Sequence, residues 1–285
     1  MTSPEDIVLE GVVSVQAALR ARNRPIQAIY VDRERRDPRV RSLLKDAARG
    51  DVPVRFLRRS HIDALAQGSS HGGVLASVGP RSYCHLEDLV TSRNNPFIVM
   101  LDGVEDPFNF GYAIRVLYAA GADGLVVRQR TWESAAGIVA RASAGASELI
   151  HTAMVASPHE AIEAFRARGL AIGVTLQGDG AQSIFAADLT LPLFLLIGGE
   201  RRGIQRSFRQ AADLFLTVPY NRGFPQSLST VATAAIVSFE VMRQRHRSAD
   251  LPPEFRYGQR LSSIPTAIGG WPSGSVETPA FYRSA

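Results

Sequence analysis

Three segments of the chain gather the residue types that hold a ligand and act on it. The first runs from Leu101 to Arg115 and reads Leu-Asp-Gly-Val-Glu-Asp-Pro-Phe-Asn-Phe-Gly-Tyr-Ala-Ile-Arg. An apolar run ends in acidic residues and glycine, Pro107 sets a turn, and Asn109 is a candidate N-cap. Arg115 follows about a turn and a half into the new helix. Alone, this is either a capped helix with a surface arginine or one wall of a site. Its position beyond a strand favours the site, because ligands of open α/β sheets bind at the carboxyl ends of strands. The second segment, Leu196 to Ile204, runs an apolar strand into Gly198, Gly199 and Glu200. The glycines give a ligand close access to the backbone, and the carboxylate is a polar anchor. The third, Val218 to Ile236, is a strand end, a loop with two prolines and a glycine, and a helix opening with Ser227, Ser229 and Thr230. Small residues line that helix, and tight packing or close ligand approach would leave the same signature.

What the chain lacks bounds the chemistry. Lys45 is the single lysine among 32 basic residues, and its Leu-Leu-Lys-Asp-Ala setting suits neither a Schiff base nor a nucleoside-triphosphate phosphate loop. The single cysteine, Cys84, excludes an internal disulfide and a thiolate zinc cage. His61, His71, His85, His151, His159 and His246 show no ligand spacing, so no metal is expected. The opening Met-Thr-Ser-Pro-Glu-Asp is acidic where a signal peptide is basic, and the apolar stretch from Leu189 to Ile197 is broken by Pro192. No membrane and a cytoplasmic location are the expectations. A formal charge of +5 leans towards polyanionic partners. The near-exclusive use of arginine reflects either genome composition or a role in phosphate contact.

These segments need elements to position them. With 285 residues and 45% hydrophobic content, the chain can fill one large core or two modest ones. From Ile7 to Val78, β-rich runs at 26–31, 52–56 and 73–78 alternate with helical stretches at 12–21 and 40–48, which reads as a small α/β domain. A turn-rich linker follows. A second alternating block has strands at 97–102, 124–128, 170–175, 193–198 and 214–218, and helices near 109–120, 158–168 and 226–245. Such alternation implies a parallel sheet covered on both faces. Ser248 to Ala285 carries five prolines and no period, and reads as an extended tail. The expected division is a small α/β domain at 1–80, a linker at 81–95, a second α/β domain at 96–246 and the Pro-rich tail at 247–285.

In order and spacing the three segments resemble the motifs of the SpoU (TrmH) family of RNA 2'-O-ribose methyltransferases in the SPOUT superfamily. Asp102, Gly103, Val104, Asp106, Pro107, Asn109, Gly111 and Arg115 match the first motif, which continues through 119–124 and 143–146. Gly198, Glu200 and Gly203 look like the second, and Val218-Pro219 with Ser227-Leu228 like the third. The N-terminal block is similar to the family's RNA substrate-binding domain, with Glu10-Gly at its start and His71-Gly-Gly-Val-Leu-Ala near its end. The resemblance spans roughly residues 7 to 245.

It implies a C-terminal SPOUT domain with a parallel sheet and a deep trefoil knot, a rare exception to unknotted topology. It also implies a homodimer with a shared active site, and RNA as substrate, ribosomal RNA being favoured over transfer RNA. Leu196, Ile197, Gly198, Gly199, Val218 and Leu228 would hold S-adenosylmethionine. Arg115, Asn109, Glu200 and Ser229 would be catalytic. A free guanidinium keeps its proton far above neutral pH, so Arg115 is expected to stabilise the developing alkoxide rather than act as a base. Arg55, Arg58, Arg59 and Arg81 are the expected RNA contacts. One departure stands out, because Ser229 replaces the asparagine of the family's Ser-Leu-Asn.

Two other readings compete. Gly178-Asp-Gly180 after a strand hints at a Rossmann-type site, but the third glycine is missing. A catalytically weak or silent SPOUT-fold RNA-binding protein would use the arginines of the N-terminal domain without the cofactor.

Overall fold

The computed structural model describes residues 7–90, 95–128, 135–178, 180–199, 204 and 206–246. The tail expected at 247–285 lies outside them. The described residues belong to one compact unit that ends at Arg245, apart from His246.

The N-terminal part contains β1 (Ile7–Glu10), α1 (Val12–Ala21), β2 (Ile26–Asp32), α2 (Pro38–Arg49), β3 (Val54–Leu57), α3 (Arg59–Leu65) and β4 (Val74–Val78). Its sheet has the order β1-β4-β2-β3. β4 runs antiparallel to both β1 and β2, and β2 is parallel to the edge strand β3. Val15, Ile29, Val31, Leu43 and Val74 fill the core between this sheet and α1 and α2.

The larger part contains β5 (Phe97–Asp102), α4 (Pro107–Ala119), β6 (Gly124–Arg128), α5 (Ala136–Ala142), α6 (Ala146–Leu149), β7 (Thr152–Val155), α7 (Pro158–Arg166) and β8 (Ala171–Thr175). It continues with β9 (Gln182–Ser183), β10 (Leu193–Gly198), α8 (Arg206–Gln210), β11 (Leu214–Thr217) and α9 (Thr230–Arg245). Seven strands form one sheet in the order β7-β6-β5-β10-β8-β11-β9, and every pairing is parallel. Alternation along the strands sends Val99, Leu101, Leu195 and Ile197 to a core shared with α4 and α9. Ile98, Met100, Phe194 and Leu196 face the opposite core, which includes Phe165 of α7. All six residues of β5 are buried, as a strand covered on both faces requires.

Three helix starts share one device. Asp37-Pro38, Asp106-Pro107 and Ser157-Pro158 each place a cap residue before a proline in the first turn. The Asp106 carboxylate accepts the Asn109 amide at 2.8 Å. The cap of α4 is therefore Asp106 and not Asn109, and Arg115 sits more than two turns in. Proline needs no amide partner at that position, so the helix opens two residues before the sequence reading placed it.

The expected linker is packed structure over its described part. Leu86 and Leu89 of a short 3-10 helix are buried, and Cys84 bridges to Ala153 beside β7. Burial also pushes the Cys84 thiol above its ordinary pKa. The two sheets are locked together nearby. Arg24 and Glu148, both buried, pair at 2.8 Å. Arg141 pairs with the buried Glu10, which also accepts the Gln67 and Gly68 amides at 2.6 and 2.8 Å. Among the described residues, no helix is long and apolar enough to cross a membrane.

Candidate active site

The carboxyl ends of β5, β8, β10 and β11 converge where the first turn of α9 meets them. β10 lies between β5 and β8, with Gly198 opposite Asp102 and Leu196 opposite Val174. Beyond the strand ends, the Gly199 amide donates to the Asp102 carbonyl at 2.6 Å. Gly103 turns there with φ of +75°, and any Cβ on Gly199 would collide with the Gly103 carbonyl. Gly103 and Gly199 thus meet at one backbone crossing, Gly103 for its positive φ and Gly199 because no side chain fits there. Asp102 is buried with Arg128 3.5 Å away.

Two clefts flank this crossing. One, of about 170 Å³, is lined by Gly198, Gly199, Val218 and Leu228 together with Thr175, Gln177, Thr217 and Tyr220. The other, of about 470 Å³, is bordered by 103–107, Asn109 and Thr230. The Thr230 hydroxyl donates to the Gly198 carbonyl at 3.1 Å, so the wall between the clefts is hydrogen-bonded across motifs two and three.

The loop from Val218 to Ser229 is tied at two points. The Tyr220 hydroxyl accepts the Leu228 amide at 2.9 Å. The Gln177 side-chain amide donates to the Phe224 and Gln226 carbonyls, each at 3.3 Å. Neither residue was foreseen from sequence. Tyr220 stands in the third segment, but a hydroxyl that reaches eight residues ahead leaves no local signature, and Gln177 arrives from a different strand end.

Of the expected cofactor residues, Gly198, Gly199, Val218 and Leu228 line the smaller cleft. Leu196 and Ile197 do not, since their side chains are buried on opposite faces of β10. Asn109 reaches the larger cleft. Arg115 lines neither; it is exposed on α4, and no described residue hydrogen-bonds or ion-pairs with its side chain. Ser229 is exposed and caps α9, its hydroxyl accepting the Ala232 amide at 3.2 Å. Glu200 lies outside the described residues. No three potential metal ligands converge among the described residues.

The expected RNA contacts divide. Arg55 and Arg58 are exposed without an acidic partner among the described residues. Arg59 is paired with Asp63 at 2.8 Å and with Asp32 at 3.9 Å. Arg81 is not a surface residue. Its guanidinium donates to the Ser147 carbonyl, to the Ile150 carbonyl at 2.8 Å and to the Thr152 hydroxyl at 3.1 Å. Burial pulls its pKa below the ordinary arginine value. Arg81 holds the two parts of the chain together.

The sequence model described as the SpoU rRNA methylase family matches residues 96–239. The chain belongs to this family. A second model, described as RNA 2'-O ribose methyltransferase substrate binding, matches residues 8–84, and the chain is an RNA 2'-O-methyltransferase. The Pseudomonas putida protein named 23S rRNA (guanosine-2'-O-)-methyltransferase RlmB is 34% identical over 239 residues, covering 82% of this chain and 95% of the relative. Its Pseudomonas aeruginosa namesake is 31% identical, with 82% and 95% covered. Among solved structures, the SpoU methyltransferase AviRb from Streptomyces viridochromogenes, in complex with AdoMet, superposes with a TM-score of 0.69. It is 25% identical, and the match covers 85% of this chain and 91% of that one. An AdoMet-bound rRNA methyltransferase from Sinorhizobium meliloti shares the SpoU fold at a TM-score of 0.71 and 24% identity, with 85% and 89% covered.

Proposed function

We propose that this SpoU enzyme transfers a methyl group from S-adenosylmethionine to the ribose 2'-oxygen of a guanosine in 23S ribosomal RNA. The carrying observation is the smaller cleft, in which residues of the second and third motifs meet beyond the carboxyl ends of β8, β10 and β11. Its lining suits an adenosine: Val218 and Leu228 offer apolar surface to a flat base, while Thr175, Gln177 and Thr217 offer polar atoms to a ribose. When bound, S-adenosylmethionine supplies a methyl group on a positively charged sulfur. The 2'-hydroxyl is a poor nucleophile while protonated, so the protein must align it and stabilise its developing charge. Arg115 supplies the compensating positive charge as a permanent donor while the hydroxyl proton passes to a neighbouring RNA phosphate, and Asn109, at the rim of the larger cleft, orients the ribose.

The working unit is a homodimer. α4 and α9 pack side by side and expose Phe108 (42%), Tyr112 (44%), Tyr118 (42%) and Phe239 (43%). Phe108, Tyr112 and Arg115 follow i, i+4, i+7 spacing and share one face of α4. A second copy covering that face would carry Arg115 towards the neighbour's clefts, consistent with its absence from its own. The C-terminal region is a deep trefoil knot. β11 lies on one side of β10 and α9 packs against α4 on the other, so the 218–229 loop crosses the end of β10. In this arrangement residues 1–80 grip RNA and residues 96–246 perform methyl transfer.

The experiment is calorimetric titration with S-adenosylmethionine, paired with mapping of 2'-O-methyl sites in total RNA from cells with and without the protein. Cofactor binding and the loss of one guanosine methylation in 23S rRNA are expected. Absence of both would leave the silent RNA-binding reading. A methyl group lost from transfer RNA instead would correct the substrate.

A further inference from the structure

Resting on the reading of residues 1–80 as the RNA-gripping part, we propose that Phe56 is a base-stacking residue for single-stranded RNA. Arg33, Arg36, Arg41, Arg55 and Arg58 around it are the phosphate contacts.

Phe56 belongs to β3, the edge strand of the N-terminal sheet, and is 54% exposed. It lies opposite Val31 in the register with β2, and the turn after β2 folds back onto the same strand through the Arg33 amide, which donates to the Leu57 carbonyl at 2.9 Å. This bond brings the start of the arginine-rich turn, Arg33-Glu-Arg-Arg-Asp37, to Leu57, the residue after Phe56 on β3. Arg33, Arg36, Arg41, Arg55 and Arg58 are all exposed, and none has an acidic partner among the described residues. Arg41 and Arg36 are held together, the Arg41 guanidinium donating to the Arg36 carbonyl at 2.8 Å. Of the acids in the turn, Asp37 is engaged by Arg35, whose hydrogen bond holds its carboxyl below the usual range, and Glu34 remains as one exposed carboxylate.

An exposed phenylalanine by itself needs no explanation. Here the exposed ring stands on an edge strand whose neighbouring arginines have no acidic partner among the described residues, with Arg55 on the opposite face of the same strand. A second copy of the chain is a poor occupant, because it would bring five like charges against five. A flexible polyanion with aromatic bases answers both features: phosphates neutralise the arginines while a base covers the ring. Sequence reading found Arg55 and Arg58 but missed Phe56 and Arg33, which become neighbours only through parallel pairing of β2 with β3.

The test uses the full chain, a fluorescent single-stranded RNA 12-mer and anisotropy titrations over a range of salt. Phe56→Ala is expected to weaken RNA binding about 10-fold with the salt slope unchanged, and Phe56→Trp to restore it. Phe56→Leu should behave like Ala, because stacking needs a π-face and not only apolar area. Arg33→Gln with Arg58→Gln should reduce the log-log salt slope by about 1.4. Affinity for S-adenosylmethionine should not change in any variant. Wild-type affinity in Phe56→Ala, or full activity of Leu, would overturn the stacking role. A change of oligomeric state in Phe56→Ala on sedimentation would also overturn it, by assigning the patch to a second copy. If the wild-type chain binds no RNA, the functional reading falls as well; if it binds and Phe56→Ala is neutral, this inference falls alone.

Discussion

Thr230 and Gly198 are joined by a hydrogen bond from the threonine hydroxyl to the glycine carbonyl at 3.1 Å. The bond fastens the first residue of α9 to the last residue of the central strand, and both cleft walls depend on that junction. Thr230→Val preserves the shape and removes the donor. Leaving this half-buried acceptor short of a partner costs about 1 kcal/mol, the lower end for an unmade bond. The expected outcome is a lower melting temperature and an S-adenosylmethionine Kd raised about 10-fold by calorimetry, with RNA affinity unchanged.

Tyr220 sets the shape of the loop that carries Leu228. Tyr220→Phe keeps the ring and deletes the acceptor of the Leu228 amide. An exchange worth about 1 kcal/mol predicts cofactor binding weakened about five-fold. Faster hydrogen exchange at the Leu228 amide, read by mass spectrometry, would localise the effect. Unchanged exchange there would show that the loop is held by Gln177 instead.

How far the sequence carried this picture depends on distance along the chain. β5, β6 and β10 fall at the boundaries their apolar runs predict, because a strand buried on both faces leaves an uninterrupted signal. The short β7, β9, α5, α6 and α8 were not foreseen, since two to seven residues cannot establish a period. The cap of α4 was misplaced because Asp106 and Asn109 are equally good capping types, and only the Pro107 position decides between them. Arg81 looked like a surface charge for want of any local sign that Ser147, Ile150 and Thr152 would receive it. Glycines 198 and 199 were legible as a close approach, whereas their partner Gly103 became apparent only from the strand register.

Arg115→Ala should reduce turnover about 100-fold or more, the scale expected when an oxyanion donor is lost, while cofactor affinity stays at the wild-type level. Its exposure makes a folding defect an unsuitable explanation for such a loss. Mixing Arg115→Ala with Leu228→Glu, each inactive alone, should restore turnover if Arg115 serves the neighbouring copy's clefts. Failure of the mixture to recover, with mixed dimers verified by native mass spectrometry, would place Arg115 in its own site.

Ser229 stands where the sequence reading expects the family's asparagine, and its hydroxyl caps α9 by accepting the Ala232 amide. Serine and asparagine are equally effective N-caps. Ser229→Asn should therefore leave thermal stability nearly unchanged and preserve or raise turnover. Ser229→Ala should cost about 1 kcal/mol in chemical denaturation by releasing the Ala232 amide. Complete inactivity of the asparagine variant, with its stability intact, would show that the neighbourhood has been rebuilt around serine.

The joint between the two sheets determines whether the RNA-gripping part is separable. Arg24 and Glu148 form a bidentate pair, at 2.8 and 3.1 Å, with almost no exposure of either side chain. The Asn23 side-chain amide adds a bond to the Glu148 carbonyl at 2.7 Å. Deleting residues 1–90 would strand Glu148 without its partner and strip the α5 and α6 surface of β1 and α1, so a truncation would report on collapse and not on RNA selection. Point substitutions are cleaner. Arg24→Met leaves a buried carboxylate unpaired and should destabilise the chain by about 3–5 kcal/mol. Arg24→Met combined with Glu148→Leu replaces the pair by apolar groups and should recover most of that loss, since buried ion pairs and well-packed apolar groups are often of similar stability. The double variant should also keep cofactor affinity but methylate RNA with a raised KM if the charged pair sets the angle between the two parts. A recovered stability with an unaltered KM would reduce the pair to a fastening that plays no part in positioning RNA.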